Sequence, residues 1–288
     1  MRSGLALLIF LSSIGPCWSQ DGFIEDGPAL AYWQVGHRKN VVIVLHGGPA
    51  VQHQYLRPEF DALRRVARVI YYDQRGCGKS AKAASYSWQE HVNDLRRLIK
   101  TISKANKVFL AGSSWGSALA LIYSYKHPED IKGLILTGTY PWEGKAMSPY
   151  AYSIEKRRLL VVAKEAIIKM KLYEHKMVSE KDKDGQSIQK LISISKEAEV
   201  LTGEAQAEPR ISFATAPVID SLARVNIPVL IFRGTRQCQI TDWSEHYMRV
   251  LPQARLCTIV DACHDPWFSN PKQFFTVSKS FIKKFRKQ

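Results

Sequence analysis

The sequence predicts an α/β fold: a mostly parallel central sheet, helices on both flanks and a helical insert. Three observations predict it. Short apolar runs alternate with amphipathic or apolar helical stretches. The runs are continuously apolar, as suits strands buried on both faces of a parallel sheet. The alternation then stops for about 75 residues of charged, helix-rich sequence before it resumes.

Val41 to Leu45 is the first such run and ends in His-Gly-Gly-Pro. A second, Arg68 to Asp73, ends in Gln-Arg-Gly-Cys-Gly. Ser87 to Lys104 reads as a helix, with Ser87 and Glu90 placed for a capping box and Val92, Leu95, Leu98, Ile99 and Ile102 on one face. Val108 to Ala111 is the third strand, Ser117 to Tyr125 a buried helix and Ile131 to Leu136 the fourth strand. Strands return at Ile227 to Phe232 and Leu256 to Val260, and a last helix runs from Pro271 to Lys287. The expected organisation is a leader at 1–19, a core at 20–140 and 217–288, and a helical cap insert at 141–216.

The leader reading rests on Arg2, the apolar stretch Leu5 to Ile14 and the small residues before Gln20. These are the parts of a secretory signal peptide, and the run is too short to span a bilayer. A secreted or periplasmic protein is therefore expected, with no stable membrane insertion. Four cysteines would remain: Cys77, Cys238, Cys257 and Cys263. Cys238 and Cys263 fall on the loops after the last two strands, which this fold sets side by side, so they are the expected pair. Cys77 and Cys257 lie on distant elements. The spacing fits no zinc site, and no metal is expected.

The chain carries a formal net charge of +15. Its only dense basic cluster is Lys283-Lys284-Phe285-Arg286-Lys287. No arginine-rich groove segment or aromatic–basic alternation points to nucleic acid, so the charge is read as a solvated basic surface.

Three segments carry chemistry. Gly112-Ser113-Ser114-Trp115-Gly116 matches G-x-S-x-G between an apolar strand and an apolar helix. There the serine occupies a sharp strand-to-helix turn that needs small neighbours and exposes the hydroxyl. Only Ser114 has glycines at both −2 and +2, so it is the expected nucleophile. His46-Gly47-Gly48-Pro49 ends the first core strand. Backbone N–H groups of Gly48 and Trp115 would form an oxyanion hole, while His46 is read as structural. Cys263-His264-Asp265-Pro266 follows the last strand. Of eight histidines, His264 alone has the place of a general base. His37, His53, His91, His127, His175 and His246 are read as surface groups.

The acid that should orient this base is less defined. Three residues past Gly234 stands Gln237, which can accept a hydrogen bond but lacks the charge that stabilises an imidazolium. Asp242, which looks more like a helix start, and Glu143, after the fourth strand, are the carboxylates in reach.

Together, HGGPA at 46–50, YDQRGCGKS at 72–80, GSSWGS at 112–117 and HDPWFSNPKQF at 264–274 resemble the proline iminopeptidase family of α/β hydrolases. The resemblance covers the core. It implies the α/β-hydrolase fold, Ser114 and His264 as catalytic pair, Gly48 and Trp115 as oxyanion donors, and removal of an N-terminal residue from short peptides with no cofactor. Ala50 and Gln237 depart from the family pattern. In the family, acidic cap residues bind the substrate amine; Glu197, Glu199, Glu204 and Glu208 are the acidic residues late in this insert, and their simpler reading is as solvated helix charges. Competing expectations are a small-molecule carboxylesterase and a binding protein that has lost efficient catalysis.

Overall fold

The computed structural model describes residues 21–49, 51–104, 106–140, 142, 203–236 and 242–287. In chain order the strands are β1 (Gly22–Ile24), β2 (Leu30–Val35), β3 (Val41–Leu45), β4 (Arg68–Tyr72), β5 (Val108–Ser113), β6 (Ile131–Thr137), β7 (Val229–Gly234) and β8 (Ala254–Ile259). The α-helices are α1 (Trp88–Ser103), α2 (Trp115–Lys126), α3 (Gly203–Phe213), α4 (Ser244–Val250), α5 (Pro266–Ser269) and α6 (Pro271–Phe285). The strands form one sheet in the order β1-β2-β4-β3-β5-β6-β7-β8. From β4 to β8 all pairings are parallel, while β1 and β2 pair antiparallel at one edge.

Side-chain alternation along the strands explains the two-sided core. Val41, Ile43 and Leu45 point into a cluster with Leu95, Leu98 and Ile122 of α1 and α2. Val42 and Val44 point the other way, into a cluster with Phe60, Trp267, Phe274 and Ile282. Each face of the sheet therefore has its own apolar layer, and the continuous runs read as strands need no polar face.

Four sequence expectations change in detail. Strands β1 and β2, at the antiparallel end of the sheet, were not expected: β1 has only three residues, and Gln34 interrupts the apolar run of β2. Helix α2 starts at Trp115, immediately after Ser114, and not at Ser117. Only half of the capping box forms: Ser87 Oγ accepts from Glu90 N–H, while the Glu90 carboxylate turns to Arg75. His53 and His91 are 1% and 2% exposed, so they are core residues and not surface groups. His53 Nδ1 meets Asp73 Oδ1 at 2.8 Å and its ring stacks on Trp33. His91 sits on the inner face of α1 against the edge of Trp115.

The loop after β4 is clamped to α1 by charge. Arg75 makes a bidentate pair with Asp94 at 2.7 and 2.8 Å. Such a fork-to-carboxylate pair fixes orientation as well as distance. No helix among the described residues is long and apolar enough to cross a membrane. The expected leader and most of the expected cap, 143–202, lie outside the described residues.

Candidate active site

The C-terminal ends of β3, β5, β6, β7 and β8 converge on Ser114. Its backbone has φ 52° and ψ −121°, which a non-glycine residue adopts only when its surroundings hold it there. Those surroundings are visible. Ser114 N–H donates to Thr137 O at 3.0 Å, and Ser114 O accepts from Ser117 Oγ at 2.6 Å. A Cβ added to Gly112 would overlap the carbonyl of Gly116, and one on Gly116 would overlap the carbonyl of Leu45. The glycines at −2 and +2 are therefore required by backbone-to-backbone approach.

Gly47 and Gly48 lie beside this turn. A Cβ on Gly47 would sit 3.0 Å from Ser114 Cβ. The N–H of Gly47 is taken, donating to Tyr55 Oη at 2.7 Å. Burial, and then the charge of Asp265, push the Tyr55 hydroxyl well above the usual tyrosine range, so it stays protonated. Gly48 has φ +114°, and its carbonyl accepts from Arg210 Nη2 at 3.0 Å, tying α3 to this loop. Among the described residues nothing accepts from the N–H of Gly48. Trp115 opens α2, where helical N–H groups lack intrahelical partners. These two N–H groups can face one developing negative charge.

His264 packs over the end of β6. Ser113 is paired with Thr137, so Ser114 and Gly138 leave the sheet side by side. A Cβ on Gly138 (φ +53°) would lie 3.0 Å from His264 Nε2. The fold thus gathers Ser114, His264, Gly48 and Trp115 at one end of the sheet.

Among the described residues no carboxylate is hydrogen-bonded to His264. Asp242 Oδ1 accepts from Thr139 Oγ1 at 2.9 Å and from Ser244 N–H at 2.7 Å. It therefore closes the start of α4, and it bridges the loops after β6 and β7. Gln237 and Glu143 lie outside the described residues, as do Ala50, Glu197 and Glu199. Glu208 accepts from Ser85 Oγ at 2.8 Å and Tyr86 N–H at 2.9 Å, which makes it a tie between α3 and the core. The loops after β7 and β8 do run together: Arg236 N–H donates to Ala262 O at 3.0 Å. Cys77 and Cys257 are not joined in a disulfide, and Cys263 lies on the loop after β8. Its expected partner, Cys238, lies outside the described residues.

One organising residue escaped the sequence reading. Gln74 N–H donates to His46 Nε2 at 3.0 Å, its Nε2 donates to His46 O at 2.8 Å, and its Oε1 accepts from Trp115 Nε1 at 3.0 Å. It joins the two segments that carry the free N–H groups. The signal was present in the Asp-Gln-Arg-Gly run after β4, but only the sheet order, which places β3 between β4 and β5, reveals what it bridges. Gln74→Leu should leave His46 O and Trp115 Nε1 buried and unpaired. A loss of about 2–4 kcal/mol in urea denaturation is expected; a loss below about 0.5 kcal/mol would show that the network carries no strain-free order of its own.

A sequence model described as alpha/beta hydrolase fold matches residues 40–271. A proline iminopeptidase of Thermoplasma volcanium is 36% identical over 124 residues, covering 41% of this chain and 42% of that protein. One from Lactobacillus acidophilus is 38% identical over 120 residues, covering 38% and 39%. The chain thus spans about two-fifths of the length of these curated relatives. Among solved structures, an esterase from Exiguobacterium antarcticum matches with a TM-score of 0.74 at 23% identity, covering 91% of this chain and 99% of that one. A thermophilic esterase from Thermogutta terrifontis matches at 0.69 and 22%, covering 93% and 99%. At those identities the structures speak for the fold alone.

Proposed function

The chain belongs to the α/β-hydrolase family, and on that premise we propose that it is a serine hydrolase that forms an acyl-enzyme on Ser114, of the proline iminopeptidase type. The observation that carries this reading is the strained turn at Ser114, held by two glycines that no larger residue can replace.

In this reading Ser114 Oγ attacks the substrate carbonyl while His264 takes its proton. The new oxyanion is received by the N–H groups of Gly48 and Trp115, an arrangement worth about 3 kcal/mol per donor in the transition state. The Gly47 N–H is excluded from that duty because Tyr55 holds it. His264 then returns the proton to the leaving amine or alcohol, and water, activated by the same ring, releases the acyl group. The residues need no metal or cofactor for these steps.

Similarity to the iminopeptidases supports an amino-terminal substrate such as a short peptide. One observation favours the second reading, a carboxylesterase. Glu208, a candidate for binding the substrate amine, is already occupied by Ser85 and Tyr86. Export follows only from the leader-like residues 1–19 and belongs to the same proposal, as does the Cys238–Cys263 bond.

A fluorophosphonate probe should label the folded protein, and Ser114→Ala should remove the label. Labelling that survives this exchange would place the nucleophile elsewhere. Rates on proline aryl amides against simple acyl esters then divide the two readings: a preference for acyl groups without a free amine rejects the peptidase.

A further inference from the structure

The end of the sheet opposite Ser114 carries a cationic track. In a parallel sheet all strands begin at the same edge, and four of the five consecutive strands β3, β5, β6, β7 and β8 have a cation within two residues of their start. Lys39 precedes β3, Lys107 precedes β5, Lys132 is the second residue of β6 and Arg255 the second of β8. At a strand spacing near 4.8 Å, the row extends roughly 19 Å. The last turn of α6 joins it. Lys132 Nζ donates to Arg286 O at 2.9 Å and to Asn40 Oδ1 at 3.0 Å, which fixes that turn beside the row. Burial, and then the neighbouring charges of Lys39 and Lys107, hold the Lys132 ammonium below the usual lysine range.

The cations are not spoken for. Lys39, Lys107, Arg255 and Lys284 are exposed, and among the described residues no carboxylate pairs with them. Of the acids nearest in sequence to β6, Asp130 is engaged by Lys100 and Tyr123, and Glu129 is exposed with its carboxylate 3.4 Å from His127 Nδ1. At the β7–β8 end the track opens into a cavity of about 330 Å³ lined by Pro228, Arg255, Phe281, Lys284 and Phe285 among others. Lys284 Nζ lies 5.3 Å over the Phe285 ring.

We propose that this edge is a docking surface for a linear anionic polysaccharide, with one sulfated or carboxylated sugar unit seated between Arg255 and Lys284. The shape favours this partner over the other polyanions. A membrane surface is held by inserted apolar side chains as well as by charge. The exposed large apolar residues, Phe23, Val218 and Val260, lie away from these strand starts. Single-stranded nucleic acid asks for aromatic platforms on which bases stack, and here Phe281 is buried and Lys284 lies over the Phe285 ring. A narrow row of cations, interrupted at β7 and ending in a pocket of sugar size, suits a chain that carries repeated charges along its length.

The inference is independent of the catalytic reading, and its test needs no substrate. Binding of a fluorescein-labelled heparin decasaccharide is followed by anisotropy over a range of salt. The exchange of Lys39, Lys107, Arg255 and Lys284 for Gln should raise Kd by about tenfold or more and flatten the salt dependence, because ion-pair contacts release counterions. A control exchange of Lys79, Lys82, Arg233 and Lys272 for Gln removes the same charge from the opposite end of the strands and should change Kd by less than about threefold. Single variants Lys39→Gln and Arg255→Gln, from the two ends of the row, should each cost about threefold; thermal melts confirm that all are folded. Equal losses in both quadruple variants would mean that net charge alone binds the probe, and overturn the proposal. So would tighter binding, through the same four residues, to phosphatidylserine vesicles or to a DNA oligonucleotide.

Discussion

Gly116→Ala is expected to abolish labelling by an active-site probe and to cost more than about 3 kcal/mol of stability. The added methyl would meet the carbonyl oxygens of Leu45 and His46 and the carbonyl carbon of Leu45, all of them backbone. No rotamer change relieves that contact. The end of β3 and the start of α2 must separate, and both carry the proposed oxyanion donors. Loss of one such donor alone costs about 10²–10³ in rate; displacing both, together with the neighbouring Ser114, should exceed this. Gly22→Ala supplies the comparison. There the new methyl meets only the side chain of Tyr32, with its nearest atoms at 3.0 Å, and a ring tip can yield. Its cost should stay below about 1 kcal/mol. Urea denaturation and the second-order labelling rate check both. A Gly116→Ala protein of unchanged stability and labelling rate would show that the turn is looser than its backbone indicates.

That contrast also explains which parts of the molecule were legible in the sequence. The turn at Ser114 was legible because its geometry excludes side chains at two fixed offsets, and exclusion of that kind leaves a pattern. The parallel strands were legible because burial on both faces removes every polar residue from a run such as Val41 to Leu45. Residues whose role depends on a partner far along the chain left no such mark. Gln74 bridges His46 and Trp115, separations of 28 and 41 residues, and nothing local distinguishes it from a loop glutamine. His53 and His91 were misread for the same reason. A histidine on a helix reads as polar and exposed, and only the packing of Trp33, Asp73 and Trp115 around them makes them core. The orienting acid stayed open because its candidates sit on loops, where position is set by tertiary contacts. Asp242 illustrates it: the helix-start reading is the one its bond to Ser244 supports, and its bond to Thr139 could not be foreseen.

Those buried histidines set the second large expectation, a steep loss of stability in mild acid. Burial is the main cause that drives the pKa of His46 from 6.5 down to about 4, against the smaller opposing effects of Asp73 and Gly47. The geometry agrees. His46 Nε2 accepts from Gln74 N–H and Nδ1 lies 2.9 Å from Gly47 O, an arrangement that only the neutral ring with its proton on Nδ1 can satisfy. Burial, then the charge of Arg75, holds His91 well below the usual range too. Between pH 6.5 and about 4 the unfolded chain takes up protons that the folded chain refuses, so stability falls as pH falls through that window. At about 1.4 kcal/mol per unit, His46 alone accounts for roughly 3 kcal/mol. Asp73 pulls in the same direction. Burial opposes its ionisation, but His53 and the Lys79 N–H outweigh this and keep its pKa below the usual carboxylate value, so its contribution is lost at still lower pH. His91 allows the assignment to be checked. Both its ring nitrogens are buried without a hydrogen-bond partner among the described residues. His91→Leu should therefore be close to neutral at pH 7 and make the acid limb shallower, because it removes a proton acceptor that only the unfolded state exposes. Urea denaturation of both proteins from pH 7.5 to 4 measures this. An unchanged slope in the variant would mean that His91 does not bind its proton on unfolding. Because His46 holds the loop of Gly47 and Gly48, loss of labelling in acid should track unfolding of this network and recover when the protein is returned to pH 7.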